Sequence, residues 1–398
     1  MKHPILLLPL ILMLIIGKSL GQQDFREGFV ITLDGDTLSG WVEYRSNQKN
    51  YQSCMFRGEA GMVPYAPDQI LGFGYEGDKR FSAQVVDGVF VEVLITGPIS
   101  LYKLRDQYYV HKDTSLFALK SVLKQVERDG KVADVETSNW RGVLMLLTID
   151  CLSEARQLVE DLTFREKSLT RLVIKYNRCQ GADYAESKAD RPWTEVDWYV
   201  TSGMVGSHIR MTSGELSLPH LRDTYHSLDP FVGVGFSLSS PRIWERGSLE
   251  GEVHYFRPIF SSLNEINRWH TEYYETIIDL QILSVPLSVK YKFPLKPFDV
   301  FLQGGMTFDL HLGSYTLVRH ELVMDNVVWT SPESQAFDLL PFDIFQLSGW
   351  GGIGVQKSFQ RVKAGVTMRY YRVTPLGIWP LHRIANHRLS VNFFISTP

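Results

Sequence analysis

Glu250, Glu252 and Asp279 fall on the polar phase of alternating apolar and polar runs, and Arg361, Lys363, Arg369 and Arg388 fall on the polar phase of later runs of the same kind. Carboxylates opposed to guanidinium and ammonium groups could hold a charged ligand, and His254 and His311, in the same phase, could add proton transfer. A structural explanation needs no ligand: charges hidden from water require partners, and packed ion pairs supply them. Nucleophile chemistry has less support, because Gly247-Ser248-Leu249-Glu250-Gly251 sets its serine beside the first glycine rather than midway between two. A phosphate loop is also missing, since Trp41 follows the Gly35 to Gly40 stretch where a lysine is needed. The three cysteines, Cys54, Cys151 and Cys179, lack the paired CxxC or HxxxH spacing of a zinc site. No catalytic, cofactor-binding or metal-ligating residue is therefore expected, and no cofactor.

The elements that would position these residues are mainly strands. Eight segments of the second half alternate with period two, their apolar phase running through 196–200, 232–238, 249–255, 278–282, 300–310, 345–355, 362–370 and 389–395. Apolar side chains on one face and charges on the other suit a sheet with lipid outside and a polar lumen inside, an eight-stranded antiparallel transmembrane β-barrel over residues 194–398. In the fourth segment the apolar phase slips near Leu283, and Pro286, which cannot donate to a ladder, favours a β-bulge there. Long stretches near 210–228, 258–275, 313–342 and 373–386 read as outer loops, alternating with short periplasmic turns. Trp269, His270, Trp329 and His382 in these loops could contact sugars or peptides, although tryptophan and tyrosine also gather where barrels cross the headgroups.

Ahead of the barrel, residues 22–120 read as a small all-β periplasmic domain, with Asp34-Gly35-Asp36 as a turn between alternating runs. Residues 121–180 read as a helical insert, with Leu169, Leu172, Val173 and Tyr176 on one face and Thr163 and Glu166 at capping-box spacing. Two helices folded as a hairpin bring Cys151 near Cys179, a disulfide candidate in an oxidising compartment, with Cys54 left unpaired. The polar, small residues of 181–193 read as a linker.

Lys2 and His3, an apolar run to Ile16, and small residues at Ser19 and Gly21 read as a signal peptide over 1–21, since the run is too short to span a bilayer. The formal charge is -3 and no basic block occurs, which argues against nucleic acid.

The run from Leu280 to Tyr291, with Val285-Pro286-Leu287 and Lys290-Tyr291, followed by Phe301-Leu302-Gln303-Gly304-Gly305, resembles the PorT-like outer-membrane β-barrel proteins of Bacteroidetes. Gly28-Phe29-Val30-Ile31 with Gly35-Asp36-Thr37 is similar to the domain preceding such barrels, and Tyr176-Asn177-Arg178-Cys179 to the end of their helical insert. Val285 and Ser288 depart from the more usual isoleucine and leucine. The resemblance implies an outer-membrane location in a Gram-negative envelope and brings no catalytic residue.

These readings point to a non-enzymatic envelope protein that binds or scaffolds, in contact with outer-membrane lipid and with other envelope proteins, peptides or glycans as partners. A component of a secretion or transport machinery is the alternative implied by the resemblance. An outer-membrane hydrolase with its active site at the barrel rim is the second alternative.

Overall fold

Asp34-Gly35-Asp36 does close a hairpin: Gly35 takes the left-handed φ of 90° that glycine tolerates, and Thr32 N–H donates to the Asp36 carbonyl at 2.9 Å. A computed structural model describes residues 24–59, 61–121, 123–128, 131–136, 139–213, 223–267, 270–295, 297–324, 327–330, 334–335, 344–374 and 382–397. The signal-peptide reading of 1–21 lies outside them. The chain divides into two units between Pro192 and Trp193.

In the first unit, strands β1 (Phe25–Thr32), β2 (Thr37–Glu43), β3 (Cys54–Gly58), β4 (Gly61–Tyr65), β5 (Ile70–Tyr75), β6 (Arg80–Val86), β7 (Val89–Thr96), β8 (Ile99–Leu104), β9 (Gln107–Lys112) and β10 (Ser115–Leu119) form one antiparallel sheet. A separate hairpin, β11 (Leu123–Arg128) and β12 (Lys131–Glu136), follows. Helix α1 (Asn47–Asn50) lies between β2 and β3, while α2 (Trp140–Thr148), α3 (Ala155–Glu160) and α4 (Glu166–Cys179) come after the sheet. One apolar core joins Val30, Phe56, Phe73, Phe81 and Phe90 under the first strands. A second core joins Leu94, Ile99, Leu101 and Val110 of the sheet to Trp140, Leu144, Val159, Leu169, Val173 and Tyr176 of the helices.

That second core corrects two expectations. The helical stretch is not a domain apart from the β domain, because the helical stripe at 169, 172, 173 and 176 is buried against β7 and β8. Nor is 181–193 a bare linker: strand β13 (Ala185–Glu186) pairs with β7, and Lys188 is buried. The capping box does not form either. Arg165 occupies the cap position without a side-chain bond, Thr163 Oγ1 meets Ser168 Oγ at 2.8 Å, and Glu166 is drawn into an ion-pair cluster.

The second unit is built from β14 (Glu195–Ser213), β15 (Thr224–Ser240), β16 (Trp244–Phe256), β17 (Ile259–Asn267), β18 (Thr271–Leu295), β19 (Phe298–Met324), β20 (Val327–Thr330), β21 (Ser334–Gln335), β22 (Phe345–Ser358), β23 (Lys363–Val373) and β24 (His382–Ser396). Eight of them close a ring in the order β14, β15, β16, β18, β19, β22, β23, β24 and back to β14. β17 continues the course of β16 beyond Arg257 and Pro258, pairing with the same β18. The register Tyr199↔Ser396 sets the start of the first strand beside the end of the last, so the barrel opens and closes at one end.

Around that end the outer face is apolar, with Trp198, Val234, Phe236, Leu249, Val289, Leu302, Met306, Leu347, Val355, Met368, Val391 and Phe393 exposed to the surroundings. In water such a band would be unfavourable; in hydrocarbon it is what a spanning barrel presents. The C-terminal unit is an eight-stranded antiparallel transmembrane β-barrel, and the chain as a whole is mainly β.

The barrel continues past the lipid band, and there its polarity inverts. Val205, Ile209, Met211, Tyr225, Phe231, Phe256, Phe260, Ile278, Leu280 and Ile282 point inward and form an apolar cluster, with Thr276, Thr316 and Asn386 buried as well, while Arg210, His226, Arg257 and Glu265 point outward. This explains the slip near Leu283. β18 keeps one phase, with its even-numbered residues inward from Thr276 to Lys290; it is the interior that changes from apolar to polar along the strand. The bulge lies on β19 instead, where Gln281 faces Gly313 and Ile282 faces His311, leaving Leu312 unpaired. Pro286 sits in a gap of the β16–β18 ladder, between the partners His254↔Ser284 and Gly251↔Leu287. The same inversion corrects the outer-loop assignments, because much of 224–228, 259–275 and 313–324 is strand.

Candidate functional site

Period-two alternation sends Glu250, Glu252 and His254 of β16 into the lumen together with Tyr199 of β14, Lys290 of β18, Gln303 and Asp309 of β19, Arg369 of β23 and Arg388 of β24. Arg369 grips Glu252 with both terminal nitrogens, at 2.6 and 2.7 Å, and its guanidinium stacks on Trp350 with 4.5 Å to the ring centroid. Tyr199 donates to the same carboxylate at 2.6 Å, and His254 Nε2 lies 2.8 Å from it.

Toward the chain-end side, Lys290 Nζ is 3.2 Å from Glu250 and Gln303 donates to Glu250 at 2.5 Å. Lys290 also lies over the rings of Phe301 and Phe394, at 4.1 and 4.9 Å. Lower still, Lys363 pairs with Asp197 at 2.6 Å. Toward the other side, Arg388 binds Asp309, which also accepts from Ser284 at 2.6 Å.

These contacts form a stack of neutralised charges. The lower lumen keeps a cavity of about 40 Å³, room for about three waters. Above it the inward-facing apolar side chains cluster inside the same barrel.

Of the residues expected in the lumen, Glu250, Glu252, Lys363, Arg369 and Arg388 are there. Asp279 is not: it lies on the outward phase of β18, where Arg257 donates to it at 2.9 and 2.5 Å, while its neighbours Ile278 and Leu280 take the inward phase. Arg361 is not there either, since it lies on the exposed turn before β23 rather than within the strand. Sequence reasoning does not single out Tyr199, Lys290 or Gln303 as site residues. Tyr199 shares its phase with Asp197 and Gln303 with Asp309, so phase is the usable signal for those two. Lys290 carries the same signal once the slip near Leu283 is applied, because Val285, Leu287, Val289 and Tyr291 then form the apolar set and Lys290 falls on the polar phase.

Among the loop candidates, Trp269 lies outside the described residues and His382 begins β24. His270 is on the β17–β18 connection, 2.5 Å from Glu272, whose other oxygen is 3.5 Å from His320. Trp329 is on β20, 63% exposed. These described candidates are thus placed on or beside strands rather than on irregular loops. His311 faces the barrel interior on β19, in phase with Asp309.

The first unit has a polar centre of its own. Lys188 Nζ is 2.6 Å from Glu92 and 3.3 Å from Glu166, and Lys103 reaches Glu166 at 2.7 Å. Burial alone would raise the Glu166 carboxyl, but Lys188 and then Lys103 outweigh it and hold the group below its ordinary value. Burial would likewise lower Lys188, yet Glu92 and Glu166 keep it above its ordinary value. Lys188 has a left-handed φ of 58°, a sparsely populated conformation for a residue with a side chain. Burial pushes the Cys54 thiol up to about 12, so it is an unreactive core residue.

Cys151 and Cys179 are joined in a disulfide, with their Cα atoms 6.1 Å apart. It ties the turn after α2 to the end of α4. The bridge encloses 28 residue steps, for which loop entropy predicts a gain of about 3 to 4 kcal/mol. Non-reducing peptide mapping of protein taken from the envelope is expected to recover Cys151 linked to Cys179 and Cys54 free. Free thiols at both positions would reject the bridge.

No family model and no curated protein matches this chain. Solved structures similar to it include Neisserial surface protein A, at 16% identity over 50% of this chain and 95% of that one, with a TM-score of 0.24. The attachment invasion locus protein Ail of Yersinia pestis, solved with the heparin analogue sucrose octasulfate, matches at 8% identity over 50% of this chain and 99% of its own, with a TM-score of 0.22. The translocator domain of the autotransporter NalP from Neisseria meningitidis matches at 12% identity over 51% of this chain and 87% of its own, with a TM-score of 0.25.

Proposed function

We propose that this chain is a non-enzymatic outer-membrane β-barrel protein of a Gram-negative bacterium, with its first unit in the periplasm, that binds or scaffolds other envelope components through its surfaces. The packed lumen carries the reading. The ion-pair stack around Glu252 and Arg369 and the apolar cluster above it occupy an interior that eight strands leave just wide enough for side chains, which supports assigning work to what projects from the membrane on either side. The water-facing extension of the barrel supports an outward projection, and the signal-peptide pattern at 1–21 supports export.

A role in a secretion or transport machinery is the second reading. The stretches that resemble PorT-like proteins of Bacteroidetes, 280–291 and 301–305, are cross-strand neighbours on β18 and β19, pairing Tyr291 with Leu302 and Ser288 with Gly305. Stoichiometric envelope partners recovered by crosslinking in native membranes would favour it, whereas glycan or peptide binding by the protein alone favours the first reading.

Labelling from the two sides of the membrane tests the placement. An epitope at residues 325–326, between β19 and β20, is expected to be labelled on intact cells, while one at residue 60, between β3 and β4, is labelled only after the outer membrane is opened. The same purified protein in planar bilayers is expected to show no steady current. Labelling of residue 60 on unbroken cells overturns the orientation, and large stable channel steps overturn the closed lumen.

A further inference from the structure

The strands that close the barrel carry an unusual row on their outer face. His226 of β15 is the cross-strand partner of His208 on β14, His208 is the partner of His387 on β24, and His387 is the partner of Arg372 on β23. Four adjacent strands therefore present three histidines and an arginine side by side. The first two rings are in contact, with Nδ1 atoms 3.1 Å apart. Arg210 stands next on β14, exposed and also outward.

Two features say what this row meets. The first is its height. Directly below it, two residues or about 7 Å along each strand, lies the last row of the lipid-facing band: Leu228, Leu389 and Tyr370, exposed by 70%, 50% and 52%. Tyr370 bridges the two rows by stacking on His387 and meeting its Nδ1 at 2.8 Å. A tyrosine with its ring at the apolar edge and its hydroxyl among polar groups marks the headgroup level.

The second feature is charge. No outward position among the described residues of β14, β15, β22, β23 or β24 holds aspartate or glutamate. On the strands that continue the ring from β15, namely β16 with β17, β18 and β19, the outward charges are mixed and paired, as in Arg257 with Asp279 and Arg319 with Glu275. A one-sided basic row at headgroup height, continuous with the lipid-facing band, complements an anion that is itself part of the membrane.

We propose that the row His226, His208, His387 and Arg372, with Arg210 above it, binds the phosphorylated headgroup of an outer-leaflet lipid. The acyl chains of that lipid lie on the band of Leu228, Leu389 and Val391. The arginines carry the permanent charge and can engage phosphate oxygens through two nitrogens each, and the histidine rings add donors beside them. The inference rests on the outer-membrane orientation proposed above.

The test uses the full-length protein in phosphatidylcholine nanodiscs, with bound lipid counted by native mass spectrometry. Diphosphorylated lipid A is titrated against its dephosphorylated form, and the Arg210→Gln, Arg372→Gln double variant is compared with the parent. Heat-dependent gel mobility confirms that the variant barrel is folded. The phosphorylated lipid is expected to bind about tenfold or more tightly than the dephosphorylated one, and the double variant to lose about tenfold. Equal binding of the two lipids, or undiminished binding by a folded double variant, overturns the site. Displacement of the lipid by millimolar inorganic phosphate assigns the row to a soluble anion and overturns it too. Orientation is scored separately by surface labelling at 325–326, so a failure of the placement and a failure of the headgroup site give different results.

Discussion

Lys188→Met is expected to destabilise the first unit by about 3 to 5 kcal/mol, because it leaves Glu92 and part of Glu166 as buried carboxylates without their cation. All three side chains are at most 7% exposed, so water cannot replace the lost partner. Urea-dependent proteolysis of the full-length protein, with cleavage sites between 24 and 192 mapped by mass spectrometry, reads the change. Adding Glu92→Gln to Lys188→Met should recover a large part of the loss, since the remaining cation, Lys103, still serves Glu166. An effect below about 1 kcal/mol would place the cluster with solvated surface pairs.

The same cluster sets a pH dependence. Glu166 is held below its ordinary value, so its contribution is present above the unfolded value of about 4.3 and is lost as pH falls through the lower folded value. Lys188 is held above its ordinary value, so its contribution is complete below about 10.4 and is lost as pH rises through the higher folded value. Stability of the first unit is therefore expected to be flat between these limits and to fall at both ends. Glu166→Gln should reduce the acid-side fall, leaving the part that Asp150, held low by its bond to Lys112, contributes, while lowering the plateau.

In the barrel, Arg369→Met is expected to cost about 3 to 5 kcal/mol by stranding Glu252, which lies 4% exposed in the lumen. Tyr199 and His254 are neighbours of that carboxylate but neither supplies a permanent positive charge. Urea unfolding from lipid vesicles, followed by tryptophan fluorescence and gel mobility, measures it. The double variant Arg369→Met, Glu252→Gln should be more stable than Arg369→Met alone by at least about 1 kcal/mol, because a neutral amide needs only hydrogen-bond partners. If the double variant were no better than the single, Arg369 would be contributing packing on Trp350 rather than charge. Neither variant is expected to open a conducting pore, since the apolar cluster of Phe231, Phe256, Ile278, Leu280 and Ile282 still occupies the barrel interior.

The sequence alone determined most of the barrel. Where one face meets lipid and the other a polar lumen, alternation is a direct record of two solvents, so Trp198, Phe236, Leu249, Met306 and Phe393 could be placed outside and Glu250, Glu252, Arg369 and Arg388 inside from phase alone. Helical periodicity likewise placed Leu169, Val173 and Tyr176 on one buried stripe, and the hairpin reading brought Cys151 and Cys179 together. What the tertiary structure decided is where each surface changes solvent. Asp279 and Ile278 differ by one residue, and their phase means the reverse of what it means lower on β18, because above the bilayer water lies outside and the core lies within. Partner choice was equally hidden. Lys188 sits in a polar stretch with no pattern, and only the fold brings it to Glu92, 96 residues away, and Glu166. The His226, His208, His387 and Arg372 row exists only through the register of four strands, since each residue by itself is an isolated polar side chain and a sequence records spacing along the chain, not height on a barrel.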